Sequence, residues 1–441
     1  MHLARPLPAA ALAALALAAS ASAGCAPCAS AGEPPLAAAP VARPASCRVV
    51  AAGEPLQAAI DAAAAGDALC LGAGRHPGPI VVRTALTLWG EPGAVIASAG
   101  DGTTVSIEAA GARLAAVTVD GSGGRYDRLD AAVLVAADDV VVEGVTVTGA
   151  VYGLLVSKAK QVRVRGNHLR GSKDPAVGLR GDNIRLWETD DIEITDNVLE
   201  DGRDMVVWYS RRAHIRGNRV LRARYGTHFM YSHDSHVEDN HYLDVTVGVF
   251  VMYTRGVELR RNVIANAAGA SGIAIGFKDG GAAVVADNLL VHDEIGIYLD
   301  ATPQRRDERV EITGNAFRLC RTALVFHASS DRVHVRGNDF RGNEQVARVD
   351  GRGDALAVEW HGNYYDDYEG YDLDHDGVGD VPFELRSFAN QLVSARPELA
   401  FFHGTPALTM AGAAAHLDPL YRPKAVLVDA APRMAPNRRG D

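Results

Sequence analysis

Again and again along this chain an asparagine closes a short alternating strand, and that recurrence constrains the fold more than any other feature. The asparagine stands in Gly166-Asn167, Asp196-Asn197, Gly217-Asn218, Asp239-Asn240, Arg261-Asn262, Asp287-Asn288, Gly314-Asn315, Gly337-Asn338 and Gly362-Asn363, mostly 21 to 30 residues apart. Runs such as Val162-Arg163-Val164, Ile192-Glu193-Ile194 and Val310-Glu311-Ile312 precede it, alternating apolar and polar residues as a strand with one buried face requires. A repeat of roughly 22 residues is too short to hold a crossover helix, so its strands must stack parallel between tight corners. The pattern predicts an all-β, right-handed parallel β-helix of roughly 14 coils, about 65 Å long at ~4.8 Å per coil. Asparagine tolerates left-handed backbone geometry and can bond its equivalent one coil away, so a ladder of asparagines is expected along one corner.

A second strand opens each coil, often after a glycine. Gly226-Thr227-His228-Phe229-Met230-Tyr231, Gly248-Val249-Phe250-Val251-Met252-Tyr253 and Gly272-Ile273-Ala274-Ile275-Gly276-Phe277 align on that glycine, with alternate residues facing inward. In this register the outward places of successive coils read Val206 and Trp208, His228 and Met230, Phe250 and Met252, Ala274 and Gly276.

The β-helix is assigned to residues 46–365. Within it, Leu56-Gln57-Ala58-Ala59-Ile60-Asp61 predicts a short helix that caps the open edge of the first coil. Upstream, His2 and Arg5 precede an Ala/Leu run from Ala9 to Ala19 and small residues to Gly24, the pattern of an export signal over residues 1–24. Residues 25–45 are Ala/Pro-rich and expected to be a disordered linker, in which Cys25 is a candidate lipid anchor. Export places the 5 cysteines in an oxidising compartment. There Cys47 and Cys70, one coil apart, could staple the first coils, Cys25 and Cys28 could pair in the tail, and Cys320 should pack as a small buried hydrophobe. Residues 366–441 form an Asp-rich loop and an extension with helical pieces at 387–396 and 407–415.

A formal net charge of -10 argues against nucleic acid as a partner, which needs a positive surface. The residues that could carry chemistry lie on the outward places of the central coils. Met230 and Met252 occupy equivalent positions on adjacent coils beside His228, and His233, His236 and His241 follow closely. Thioether and imidazole form a soft ligand set suited to copper, particularly Cu(I). The competing reading of the same residues is an apolar strip that docks a protein, as a surface binding module would. Asp372, Asp374, Asp376 and Asp380 around Gly377 match places 1, 3, 5 and 9 of a calcium loop, with the Val378 carbonyl at place 7; place 12 is Phe383 instead of Glu. A polysaccharide lyase or hydrolase would need paired carboxylates, for which Asp190 and Asp191 are the candidates. They sit where other coils have corner residues, and none of Gly-His-Gly, Asn-Thr-Asp or Asp-Pro-His-Asp occurs.

The coils Asn183-Ile-Arg-Leu-Trp187, His228-Phe-Met-Tyr231 and Val251-Met-Tyr253, with Gly362-Asn-Tyr-Tyr-Asp-Asp-Tyr368 and the Asp372–Asp380 loop, resemble the NosD family over most of residues 50–385. That resemblance implies a periplasmic, non-enzymatic maturation factor that assists copper-site assembly of nitrous oxide reductase. The implied partners are an ABC transporter of permease and ATPase subunits, a copper chaperone lipoprotein and the nitrous oxide reductase apoprotein. His228, Met230 and Met252 lie on the coils that match, so the resemblance favours copper there, with His233 as the further candidate ligand from the residues themselves, and it implies membrane association through the transporter. The piece with Phe401, Phe402 and Leu408 to Met410 would dock on the permease. Outward Trp208 and Phe250 are not ligands, and the tail matches only loosely.

Overall fold

The computed structural model describes residues 38–329, 331–388, 391–392, 396–402, 405–417 and 423–437; the predicted export signal, Cys25 and Cys28 lie outside them. Three parallel sheets of 14, 12 and 13 strands form the walls of a solenoid, each strand pairing with its equivalents in the preceding and following coils. A row of coils follows from the sequence period, because an isolated coil cannot bury its apolar face and each one covers the next. Alternate residues point inward. In the strand Ile184–Trp187 the residues Ile184 and Leu186 are buried while Arg185 and Trp187 are half-buried on the outside. The interior is a continuous column of Val, Ile, Leu and Phe, including Phe229, Phe277, Phe317 and Phe340.

The asparagine ladder runs along one corner as the repeat predicts. The backbone N–H and Nδ2 of Asn218 both donate to Oδ1 of Asn240, at 2.9 Å and 2.9 Å, and the second Nδ2 hydrogen goes back to the carbonyl of Ile194 at 2.8 Å. Asn167, Asn197, Asn240, Asn262, Asn288, Asn315 and Asn338 repeat this pattern. Each amide is saturated, which is why so polar a row can be buried. One expectation is corrected. The left-handed residue is the one before the asparagine, for example Asp196 at φ 56, Gly217 at φ 66 and Asp239 at φ 56. The Gly-Asn and Asp-Asn pairs therefore divide the work, the first residue turning the chain and the second bonding it.

The ladder ends on the C-terminal segment. Asn363 donates through Nδ2 to Asp429 Oδ2 at 2.8 Å, and the Tyr365 hydroxyl meets the same oxygen at 3.2 Å. Asp429 belongs to the strand Ala425–Asp429, which pairs antiparallel with Phe383–Arg386 across the end of the last coil. At the other end the helix Leu56–Asp61 buries Leu56, Ala59 and Ile60. Its Gln57 exchanges hydrogen bonds with the backbone of Val81, at 2.8 Å to N and 3.0 Å to O. A disulfide joins Cys47 to Cys70 there, and Cys320 is buried and free.

Two further expectations are corrected. Residues 38–45 are not a loose linker: Ala39 N–H donates to the carbonyl of Gly166 at 2.7 Å and Trp89 Nε1 to Val41 O at 3.2 Å. Gly144 and Gly166 leave the flat surface that Val41 and Ala39 fill. The register of the strand Ile273–Lys278 differs by two residues from the alignment on Gly272. Phe250 pairs with Gly276 and Met252 with Lys278. Gly272 belongs to a turn closed by its N–H on Gly269 O at 2.9 Å and precedes the strand, so the place equivalent to Gly248 is Ala274. Gly276 is where the Phe250 ring lies, since a Cβ there would stand 2.2 Å from that ring.

In the tail, Pro406–Leu417 is helical and covers the predicted piece at 407–415. In the predicted piece at 387–396, Gln391 N–H donates to Ser387 O and Arg396 N–H to Leu392 O, with five of its residues outside those described. No helix among the described residues is long and apolar enough to cross a membrane.

Candidate functional site on the twelve-stranded wall

The outward row of the central coils reads Trp187, Trp208, Met230, Met252, Lys278 and Asp300, each pairing with the next. The parallel row reads Arg185, Val206, His228, Phe250, Gly276 and Tyr298. Met230 and Met252 are thus neighbours at one strand spacing, about 4.8 Å. His228 Nε2 lies 3.3 Å from Met252 Sδ. Donor atoms bound to one tetrahedral ion at zinc-like lengths of ~2.0 Å for nitrogen and ~2.3 Å for sulfur stand about 3.5 Å apart. The observed pair fits that span.

Although it points outward, His228 is only 6% exposed. Burial pushes its pKa down to about 4; Asp204 opposes the shift, while Arg224 and Arg203 add to it. The ring is therefore neutral at pH 7, the form in which imidazole offers a lone pair to a metal. Nδ1 of His228 has no hydrogen-bond partner among the described residues. Tyr225 stacks on the ring at 4.6 Å between centroids and Trp208 meets it edge-on at 5.7 Å. Tyr225 reaches this position through a bulge. Asp204 pairs with Tyr225 and Val206 with His228, so one residue on the first strand faces two on the second. Sequence alternation cannot register such an insertion, and Tyr225 was missed for that reason.

The structure does not bring the other histidines to this point. His233 lies at the following corner, in a cleft of ≈ 360 Å³ lined by Tyr231, Tyr253, Arg255, Arg305 and Glu308, among others. Its Nδ1 accepts the Arg255 N–H at 3.4 Å, and burial followed by Arg255 lowers its pKa. His236 is on the fourteen-stranded wall and His241 on the thirteen-stranded one. Beside the methionine row, Tyr209, Tyr231 and Tyr253 stack along the corner at 5.4 Å and 4.8 Å, a column the sequence analysis did not single out. Its signal was in the sequence, as a tyrosine directly after Trp208, Met230 and Met252.

At the acidic loop, Asp372, Asp374 and Asp376 can each bring one oxygen within 4.8 Å of the others. Asp380 is not of that group; its Oδ2 accepts the Leu373 N–H at 2.7 Å. Phe383 at place 12 is buried against Tyr365 at 3.7 Å, and Glu384 pairs with Arg386 at 2.9 Å. Neither completes a calcium loop. The Asp376 backbone N–H lowers the Asp374 pKa, but repulsion by Asp376, desolvation and the neighbouring Asp372 and Asp380 together raise it; at Asp372 desolvation is overcome by hydrogen bonds from Gly377, His375, Asp374 and Asp376, which together lower the pKa.

As a catalytic pair, Asp190 and Asp191 fare poorly. Arg212 binds both, at 2.6 Å and 2.6 Å, and holds the Asp191 carboxyl below its usual range. A general acid needs its pKa raised.

Comparison with known proteins adds four findings. Residues 172–370 match the sequence model of the family described as "Periplasmic copper-binding protein (NosD)". The chain is 26% identical over 389 residues to a Pseudomonas aeruginosa protein named "Probable ABC transporter binding protein NosD", covering 77% of this chain and 82% of that one. A Stutzerimonas stutzeri protein of the same name is 24% identical over 77% of this chain and 80% of its own length. Among solved structures, a PL6 alginate lyase in complex with a trisaccharide superposes with TM-score 0.52 at 11% identity, covering 72% of this chain and 85% of that one. Likeness at that level shows a shared fold alone.

Proposed function

We propose that this chain is a member of the NosD family of periplasmic proteins, which it resembles over most of its length, that it handles copper for an ABC transporter, and that it catalyses no reaction itself. Copper is held on the outward face by His228, Met252 and Met230. The observation that carries this reading is the 3.3 Å approach of His228 Nε2 to Met252 Sδ, with Met230 in register beside them. A neutral imidazole and two thioethers suit Cu(I) and are poor ligands for calcium or magnesium. His233, in the neighbouring cleft, is outside this ligand set.

The finer role is assistance to copper-site assembly in nitrous oxide reductase, with copper arriving from a chaperone lipoprotein. Phe401, Phe402 and Met410 are exposed on the tail, which supports docking there on the transporter permease. Asp372, Asp374 and Asp376 would take a hard cation such as calcium as a brace, with Asp380 serving the loop backbone instead.

The decisive measurement is competition for Cu(I) against a chromogenic chelator. The unaltered protein should withdraw copper, and the Met230→Leu/Met252→Leu variant should lose at least about 10-fold in affinity, since two of three soft donors are gone. Equal affinity in the two proteins would move copper away from this wall.

A further inference from the structure

His228 is gripped by two anchored stacks. On one side the Arg224 guanidinium lies 4.9 Å over the Tyr225 ring, and Asp204 holds Arg224 through Nε at 3.0 Å and through Nη2. On the other, Arg185 lies 4.6 Å over Trp208, with Nη1 donating to Asp182 Oδ2 at 3.0 Å. Arg203 ties the stacks together. It donates to Asp182 Oδ1 through Nε at 3.0 Å and Nη2 at 2.8 Å, and its Nε stands 3.5 Å from Asp204 Oδ2.

Every carboxylate oxygen in this cluster is therefore turned onto a guanidinium. Three arginines face two aspartates, a surplus of one positive charge, and Asp182 and Asp204 are both fully buried. The ligands themselves bring no negative charge: one is a neutral imidazole and the others are thioethers. Sites for divalent ions in proteins normally supply thiolates or carboxylates, which offset the second positive charge. Here none is free to do so, and repulsion from the frame grows in proportion to the charge of the ion.

We propose that this cationic frame makes the His228–Met252 site selective for soft ions of single charge, Cu(I) and its redox-inert analogue Ag(I), and closes it to soft ions of double charge such as Cd(II). Arg185, Arg203 and Arg224 are specificity and positioning residues, not ligands. The inference rests on reading His228, Met230 and Met252 as a metal site, and it explains how that site could pass one oxidation state of copper and refuse the other.

Equilibrium titration of the purified protein with Ag(I) and with Cd(II) tests it, because the two ions share softness and differ in charge. The unaltered protein should prefer Ag(I) by at least about 100-fold. In Arg185→Gln, where Asp182 keeps Arg203, the preference should narrow at least about 5-fold through tighter Cd(II), and Arg185→Lys should restore it. Circular dichroism checks that the variants fold; Arg203→Gln serves if Arg185→Gln does not. Cd(II) binding as tight as Ag(I), or an unchanged preference in a folded charge-removed variant, overturns the frame. Absence of Ag(I) binding, or Ag(I) binding that survives Met230→Leu/Met252→Leu, instead removes the metal site itself.

Discussion

Two longitudinal rows of this solenoid follow opposite rules. Along the asparagine corner each coil from Asn167 to Asn363 spends the same residue on the same three bonds, and the row runs unchanged between them. Along the outward row of the twelve-stranded wall, Trp187, Trp208, Met230, Met252, Lys278 and Asp300 succeed one another with no repetition beyond two places. A ladder of identical residues is what coil-to-coil stacking rewards, because each rung satisfies its neighbour. Residues that break the period gain little from stacking and are chosen for what they meet outside. In a repeat protein, monotony marks stability and irregularity marks the working face.

The largest expected effect is on the monotonous row. Asn240→Leu removes the acceptor of both Asn218 donations and takes the side-chain donor from the carbonyl of Ile215 and from Oδ1 of Asn262, which keeps only the backbone N–H of residue 240. It should cost about 3–5 kcal/mol in urea unfolding, the sum of several buried groups left unpaired. A loss under 1 kcal/mol would show that the ladder is ornamental.

A second corner sharpens the contrast, with an opposite sign. Asn343 there accepts Cys320 N–H at 3.0 Å and donates to Phe317 O at 3.0 Å, as a ladder rung does. Two coils earlier Asp293 accepts Ala267 N–H at 2.7 Å, but its Oδ2 has no partner among the described residues. Burial pushes Asp293 up to about 8, against about 4 in an unfolded chain. The unfolded chain therefore loses its proton first, so the stability this group supplies is whole below about pH 4 and is lost as pH rises toward 8. Asp293→Asn removes the titration and adds a donor. It should stabilise the protein by about 1–3 kcal/mol at pH 7 and flatten the loss of stability between pH 4 and 8. A thermal melt series across that range reads both.

The smallest effect belongs to the irregular row. Met252→Leu keeps volume on a half-buried surface and should change unfolding free energy by less than about 1.5 kcal/mol. A larger loss would make the methionine row part of the scaffold and weaken the contrast.

How much of this could be read beforehand follows the same division. The asparagine corner, the wall strands and the Cys47–Cys70 disulfide were legible because they repeat at coil spacing. So was the pairing of His228 and Met230 with Phe250 and Met252, since their coils have equal length. The register failed at Gly272, a turn glycine that stands two residues ahead of the place equivalent to Gly248. The clamp around His228 was invisible because it depends on a bulge and on Arg-aromatic stacks linking three coils. Asp429 was out of reach as well: it meets Asn363 across 66 residues of non-repeating chain.

The ladder also has a direction. Each amide passes its hydrogen toward the C-terminal end, so the row requires at its close a group that only takes, and the carboxylate of Asp429 is that group. Growth by duplication is consequently confined to the interior: whole coils can be spliced between existing rungs, whereas one appended after Asn363 would displace the stopper. Lengthening or shortening this scaffold should succeed from the middle and fail at the tip.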